Sequence, residues 1–124
     1  MYSLALNLNR AHDPEAPRYQ HQLQELEERE QLTNQIELLR SFALQAGKAG
    51  NWPQAIEQLQ QALQLCQACK GAALLHKNLA FFYEKTGRIN DAESELEKTL
   101  AIDPQDIKAQ LALAQLCSLL ASVP

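Results

Sequence analysis

A pattern of small and apolar residues that occurs twice constrains this sequence more than any other feature. Its downstream copy, residues 78–104, contains two runs that each have one apolar helical face, and Thr86-Gly87-Arg88 separates them. Glycine readily adopts the left-handed conformation that ends a helix, and proline cannot continue a helix. This copy therefore predicts a helix hairpin that bends at Gly87 and ends at Asp103-Pro104.

The upstream copy covers residues 42–65 and repeats the same order of residues. When Ala55 is aligned with Ala92, Gly50 falls on Gly87. The other matched pairs are Ala43 with Ala80, Leu59 with Leu96, and Leu63 with Leu100. One structural unit is therefore expected to occur twice, with a second bend near Gly47 and Gly50.

This spacing resembles the tetratricopeptide repeat (TPR), a helix–turn–helix of about 34 residues with small residues where its helices cross. The downstream copy fits the family pattern at Asn78, Leu79, Ala80, Tyr83, Gly87, Ala92, Leu96, Leu100 and Asp103-Pro104. The upstream copy departs from it, because Ala46 replaces a large aromatic residue and no proline closes the unit. The resemblance implies an all-α fold of antiparallel helix hairpins stacked as a short right-handed superhelix, a TPR-like solenoid.

We expect a single domain with four parts. They are a degenerate N-terminal repeat and long charged helix at 1–35, TPR repeats at 36–70 and 73–106, and a C-terminal capping or truncated-repeat helix at 107–122. Leu4, Leu8 and Ala11 share a helical stripe in the first part before Asp13-Pro14 breaks it. The last part is apolar on more than one side, which is typical of a surface that another repeat, a second copy or a partner covers.

Residues 15–48 allow two interpretations. They contain no glycine before Gly47 and mostly strong helix formers, which favours one helix of about 30 residues. Alternatively, the charged stretch Glu27–Gln31 holds a turn between two helices. A continuous helix would carry residues 1–14 away from the repeats of their own chain, where they could dock on a neighbouring copy as in a domain swap.

Composition narrows the classes of function. The formal net charge is −4, the sequence pI is about 5.3, and Lys and Arg form no dense cluster, so we expect no nucleic-acid partner. No run approaches the roughly 20 apolar residues of a membrane span. The N-terminus makes a poor signal peptide, and three cysteines fit a reducing compartment better than a disulfide framework, which predicts a cytoplasmic protein.

No catalytic grouping is visible, so the chain is not expected to be an enzyme. His12, His21 and His76 are scattered, and the sequence has neither a nucleophile elbow nor a glycine-rich phosphate loop. Cys66 and Cys69 form a Cys-x-x-Cys motif that could serve as a metal or redox site. A second cysteine pair is absent, so we favour two small apolar residues at a helix end and predict no cofactor and no metal.

The resemblance implies that the first helix of each repeat lines a concave groove. The groove positions mapped onto this chain are Arg40, Leu44, Lys77, Asn78, Phe81, Lys108 and Gln115, with Ser41, Glu84 and Leu111 beside them. Arg40, Lys77 and Lys108 would form a mildly positive strip. We expect a peptide with an acidic group, whose backbone Asn78 binds and whose apolar side chain contacts Phe81.

One version of the family grips a C-terminal carboxylate with two Asn and three basic residues. Arg40, Asn78 and Lys108 match three of those positions, but Leu44 and Ala112 replace the other Asn and the Arg. The departure argues against a carboxylate clamp of that type.

The sequence thus predicts a non-enzymatic protein–protein interaction scaffold, either complete or a fragment of a larger repeat protein. The alternative is a self-assembly module, a homodimer formed through the long N-terminal helix and the apolar C-terminal helix. The sequence does not specify the partner.

Overall fold

The computed structural model describes residues 15–121, which form five α-helices and no strand. The helices are α1 Ala16–Lys48, α2 Trp52–Cys66, α3 Ala72–Lys85, α4 Ile89–Ile102 and α5 Ile107–Ala121. The all-α prediction is confirmed. The predicted stripe of Leu4, Leu8 and Ala11 and the break at Asp13-Pro14 lie outside the described residues.

Helix α1 is continuous over 33 residues, so no turn occurs at Glu27–Gln31. All five residues of the charged stretch are exposed, and the backbone there is helical. The interpretation of residues 15–48 as one helix is therefore the one that the structure supports. The physical reason is that the segment consists mostly of strong helix formers and has no residues typical of a turn at Glu27–Gln31.

The chain divides into two compact units, residues 1–34 and 35–124. The described part of the first unit is the N-terminal portion of α1. Its apolar residues Tyr19, Leu23 and Leu26 are 43%, 54% and 60% exposed. They form a stripe with i, i+4 and i+7 spacing along one face of the helix.

In the second unit, both first helices of the repeats end in the same hydrogen-bonded motif. Gly50 and Gly87 have φ of +80° and +79°, and each follows the last turn of its helix. The next backbone N–H closes the turn: Asn51 donates to the Ala46 carbonyl at 2.8 Å, and Arg88 donates to the Tyr83 carbonyl at 2.8 Å. This is a Schellman motif, so the predicted bends are confirmed.

The start of α2 also follows from its sequence. The Asn51 side chain accepts a hydrogen bond from the Gln54 N–H at 3.4 Å, and Pro53 lies in the first turn, where its missing N–H costs nothing. The Trp52 ring packs against Phe82 with ring centroids 5.7 Å apart. The cap and the proline therefore fix where α2 begins, and the contact of Trp52 with Phe82 joins the α1–α2 hairpin to α3.

The core of the second unit lies where the repeat pattern predicts it. Ala55 and Ala92 are both 0% exposed, because the small side chain lets neighbouring helices approach closely. The matching buried residues are Ala43, Leu59, Ala62, Leu79, Ala80, Tyr83 and Leu96. Ala109 and Leu116 extend this core onto α5.

One detail of the predicted pattern was wrong. Gly47 was expected in the hairpin turn, but it lies inside α1 and is buried, with no left-handed backbone. The residues of α1 that are buried in the core are Ile36, Ala43 and Gly47, whereas Phe42 is 45% exposed.

Candidate functional site

The predicted groove residues occupy three helices of the second unit. Arg40 and Leu44 lie on α1, Lys77, Asn78 and Phe81 on α3, and Lys108 and Gln115 on α5. Phe81, Lys108 and Gln115 are exposed, Arg40, Lys77 and Asn78 are half-buried, and Leu44 packs against the core. The structure therefore leaves most of these side chains accessible, whereas Leu44 contributes to packing.

Acidic neighbours neutralise two of the three cations in the expected positive strip. Arg40 pairs with Glu37 at 2.9 Å on its own helix, and Lys77 pairs with Asp106 at 2.6 Å. Lys108 is exposed, and no ion pair engages it among residues 15–121. The strip is consequently less positive than a count of its Lys and Arg residues indicates.

Asp106 connects α3 to the beginning of α5. One carboxylate oxygen accepts the hydrogen bond from Lys77, and the other accepts one from the Ala109 N–H at 3.1 Å, which caps α5. The hydrogen bond from Lys77, followed by the one from Ala109, lowers the pKa of Asp106 below its ordinary value of 3.8. The ionised carboxylate therefore holds Lys77 beside the N-terminus of α5.

We expect the Lys77→Met variant to raise the pKa of Asp106 toward its ordinary value, because the largest stabilising hydrogen bond is lost. Since the folded-state pKa is depressed, Asp106 stabilises the fold at pH values above its unfolded pKa. That stability is lost as the pH falls through the folded-state pKa. Carbon-detected NMR titration of the carboxylates measures the shift. The Lys108→Met variant should leave the pKa of Asp106 depressed, and equal values in Lys77→Met and the parent would contradict this account.

Asn78 and Phe81, two of the predicted groove residues, lie one turn apart on helix α3. The Asn78 Nδ2 atom is buried and has no hydrogen-bond partner among the described residues. Phe81 is 50% exposed, and the Lys85 Nζ lies 5.2 Å from its ring centroid. An amide donor without a partner and an exposed aromatic ring lie three residues apart, on adjacent turns of one helix.

The Cys-x-x-Cys motif differs from its expected state. Cys66 and Cys69 are joined by a disulfide in the linker between α2 and α3, whereas two separate small apolar residues were expected. The cysteine count therefore no longer supports a reducing compartment. His76, which follows in the sequence, pairs with Glu95 at 2.6 Å. Within residues 15–121, no group of three or more His, Cys, Asp or Glu side chains could hold a metal ion.

An open cleft of about 370 Å³ lies between α2 and the turn that joins α3 to α4. Its lining residues are Pro53, Ile56, Glu57, Gln60, Thr86 and Arg88. None of the predicted groove residues lines it.

The sequence analysis missed two ion pairs at the predicted groove residues, Glu37–Arg40 and Lys77–Asp106. Only one of them has a recognisable signal in the sequence. Glu37 precedes Arg40 by one helical turn, a spacing that predicts their ion pair. Lys77 and Asp106 are 29 residues apart, and Asp106 shows only the local signature of a helix cap. No local signal could assign Lys77 to that cap.

The sequence matches a known protein family but no curated protein. A family model described as tetratricopeptide repeat matches residues 48–116, which are 69 of the 124 residues. No curated protein matches the chain. None of the helices within residues 15–121 is long and apolar enough to cross a membrane. Because the match covers more than half of the sequence and the structure has the matching helix hairpins, this chain belongs to the tetratricopeptide repeat family.

Proposed function

We propose that this protein is a non-enzymatic interaction scaffold that binds a peptide segment of a partner protein along α1, α3 and α5. Tetratricopeptide repeats are typically protein–protein interaction modules, which supports the general class. The observation that carries the proposal is on α3, where the exposed ring of Phe81 lies near the unpaired amide of Asn78. Such a face offers both an apolar contact and a backbone hydrogen bond.

The Asn78 amide favours a ligand with an accessible backbone. An unsatisfied buried donor costs about 1–3 kcal/mol, so rotation of this side chain toward a ligand carbonyl would recover free energy. The Phe81 ring would contact an apolar side chain of the same segment. In an extended peptide, successive side chains point to opposite sides. One side chain of the peptide can therefore contact Phe81 while a neighbouring backbone carbonyl of the peptide accepts a hydrogen bond from Asn78, one turn away on α3.

We expect the basic residues of the groove to contribute less to peptide affinity than the sequence analysis predicted. Arg40 and Lys77 have intramolecular partners, so an acidic group on the ligand would have to compete with Glu37 and Asp106. Lys85 and Lys108 are exposed, and they remain the cations that an acidic ligand can approach at low cost. We therefore expect apolar contacts at Phe81 and Leu111 to contribute more affinity than the ion pairs.

A random peptide library displayed on phage and selected on the full chain tests this proposal. We expect the selected peptides to bind the Phe81→Ala variant about tenfold more weakly, the effect of losing a partly buried aromatic contact. Lys108→Glu should weaken the acidic peptides in particular. Lys77→Glu is unsuitable here, because the new carboxylate would face Asp106 and destabilise the start of α5.

The matched control is Glu97→Lys, which reverses a charge on the exposed face of α4. Isothermal titration calorimetry with one selected peptide should give the same Kd for this variant and the parent. Peptides whose Kd is unchanged by both Phe81→Ala and Lys108→Glu would exclude the α3 and α5 face as the binding site.

Self-assembly is the second candidate function, and the exposed apolar residues of α5 favour it. Ile107 and Leu111 are 68% and 59% exposed, and Lys108 is the sole charged residue of the helix. Two copies could pair these residues with few like charges between them, and such pairing would compete with a peptide that contacts Leu111. If so, light scattering shows a dimer for the parent and for Ser94→Lys on α4, and a monomer for Ile107→Lys. A parent that stays monomeric at every concentration would refute self-assembly.

A further inference from the structure

The linker between α2 and α3 contains a covalent feature that peptide binding does not use. Cys66 is the last residue of α2, and its disulfide to Cys69 closes a ring of four residues. The Cys69 N–H also donates to the Cys66 carbonyl at 3.0 Å. Two more backbone hydrogen bonds flank the ring, from the Gln67 N–H to the Leu63 carbonyl at 3.3 Å and from the Ala72 N–H to the Cys69 carbonyl at 3.1 Å. The connection between the two repeats is therefore held by the disulfide together with these backbone hydrogen bonds.

The ring holds two consecutive residues in a conformation that side chains disfavour. Gln67 and Ala68 have φ of +37° and +67°, and they are the only non-glycine residues with positive φ among those described. A left-handed residue with a Cβ persists only when its surroundings enforce it. Both side chains are exposed, so core packing does not hold them in place. The disulfide is the covalent constraint that spans them, and the hydrogen bond from Cys69 to Cys66 spans the same two residues.

The two sulfur atoms differ in their surroundings. Cys66 is 5% exposed and belongs to the core of the second unit. Cys69 is half-buried, and the exposed Lys70 follows it. A positive charge near a disulfide attracts an attacking thiolate. Cys69 also packs against the core, but it is less buried than Cys66, so we expect an external thiol to attack Cys69 first.

We propose that Cys66 and Cys69 form a thiol-exchangeable disulfide, a redox site at which a low-molecular-weight thiol such as glutathione reacts and thereby releases the linker between the repeats. The external thiolate forms a bond to the Cys69 Sγ, and the electron pair of the Cys66–Cys69 bond leaves on the Cys66 Sγ, which takes up a proton. A second thiolate then attacks the external sulfur of the mixed disulfide, and the electron pair of that bond leaves on the Cys69 Sγ, which takes up a proton. The products are two protein thiols and one oxidised thiol dimer, so two electrons reach the protein.

Reduction changes the linker and leaves the helices intact. Without the bond, Gln67 and Ala68 are free to leave the left-handed region, and residues 67–71 can extend. A protease needs such an extended segment around its cleavage site. Lys70 lies inside this segment, so trypsin reports the state of the disulfide at that residue.

The Cys117→Ser variant provides a clean background, because Cys117 is the free cysteine among the described residues and is exposed. This variant is equilibrated with glutathione and glutathione disulfide at graded ratios, without denaturant. We expect thiol titration to show no free thiol at the oxidising end and two at the reducing end. Trypsin should cut after Lys70 about tenfold faster in the reduced protein, as measured by mass spectrometry of the fragments.

Two controls distinguish reduction of the Cys66–Cys69 disulfide from a general increase in protease sensitivity. The Cys66→Ser/Cys69→Ser variant, also with Cys117→Ser, should be cut after Lys70 at the fast rate in every buffer. Cleavage after Lys48, at the end of α1, should not depend on the glutathione ratio. If the double serine variant does not fold, the chemically reduced Cys117→Ser protein supplies the same comparison.

Several outcomes would overturn the proposal. One is a protein that keeps two free thiols in excess glutathione disulfide. Another is a disulfide that exchanges only after denaturation, which would make it a static crosslink. Equal cleavage after Lys70 in the oxidised and reduced protein would refute the release of the linker. Because none of these readouts involves a peptide, failure here is distinct from failure of the proposed groove.

Discussion

Replacement of His76 by alanine is expected to lower the free energy of unfolding by about 2–3 kcal/mol. The His76 Nδ1 lies 2.6 Å from the Glu95 Oε2, between α3 and α4, and the two side chains are 17% and 11% exposed. An ionised carboxylate only accepts hydrogen bonds, so the ring nitrogen is the donor. Without the ring, the Glu95 carboxylate stays largely buried with a weaker set of partners. Urea denaturation at neutral pH measures the loss.

The matched control removes the other partner of the same carboxylate. Lys98 donates to the Glu95 Oε1 at 3.3 Å, but its side chain is 55% exposed. An exposed ion pair contributes at most about 1 kcal/mol, so Lys98→Ala should cost much less than His76→Ala. Replacing both His76 and Glu95 with apolar residues should recover part of the loss, because no buried charge is then left without a partner. Equal costs for His76→Ala and Lys98→Ala would contradict this account.

Thr99 shows why the interface between α3 and α4 tolerates polar groups. It is 0% exposed, and its hydroxyl donates to the Glu95 carbonyl at 3.0 Å, one helical turn before it. The same hydroxyl lies 3.4 Å from the Ala73 carbonyl on α3. The buried polar atoms of this contact thus satisfy one another, as buried polar groups must.

The repeats could be predicted because their signals are local. Gly50 and Gly87 occupy positions where the Schellman motif requires φ near +80°, which few residues other than glycine adopt. Ala55 and Ala92 lie where helices cross closely, and a larger side chain would not fit. Each requirement selects a residue type at one position, so the sequence records it directly.

Other features depend on how helices face one another, and no local signal encodes them. His76 and Glu95 are 19 residues apart, and Lys77 and Asp106 are 29 apart. These pairs form only when two helices pack with a particular rotation. Gln67 and Ala68 adopt left-handed backbone although neither is glycine, so turn preferences could not predict them. For the predicted groove, the family resemblance mapped cations to Arg40, Lys77 and Lys108, but it could not show that Glu37 and Asp106 pair with the first two.

Gly47 belongs to this second group, since its role depends on a side chain of another helix. A Cβ atom at this position would lie 2.8 Å from the Phe82 Cε1 and 3.3 Å from the Trp52 Cζ3. Phe82 is 2% exposed, and the rings of Trp52 and Phe81 pack on it at 5.7 and 5.9 Å between centroids. The ring therefore has little room to move away. Gly47 allows α1 to approach α3 closely, whereas the sequence pattern indicated only a bend between two helices.

We expect Gly47→Val to destabilise the protein by about 3 kcal/mol and Gly47→Ala by about 1–2 kcal/mol, because overpacking of this contact outweighs the gain of about 1 kcal/mol in helix propensity. Thermal and urea denaturation measure both losses.

Gln45→Val is the control, because it places the same β-branched residue on the exposed face of α1, and it should cost about 0.5 kcal/mol. Phe82→Leu removes the atoms that clash, so Gly47→Ala should cost less in that background than in the parent, with a coupling of about 1 kcal/mol. Strict additivity of the two changes would show that Gly47 is needed for a reason other than the approach of the Phe82 ring.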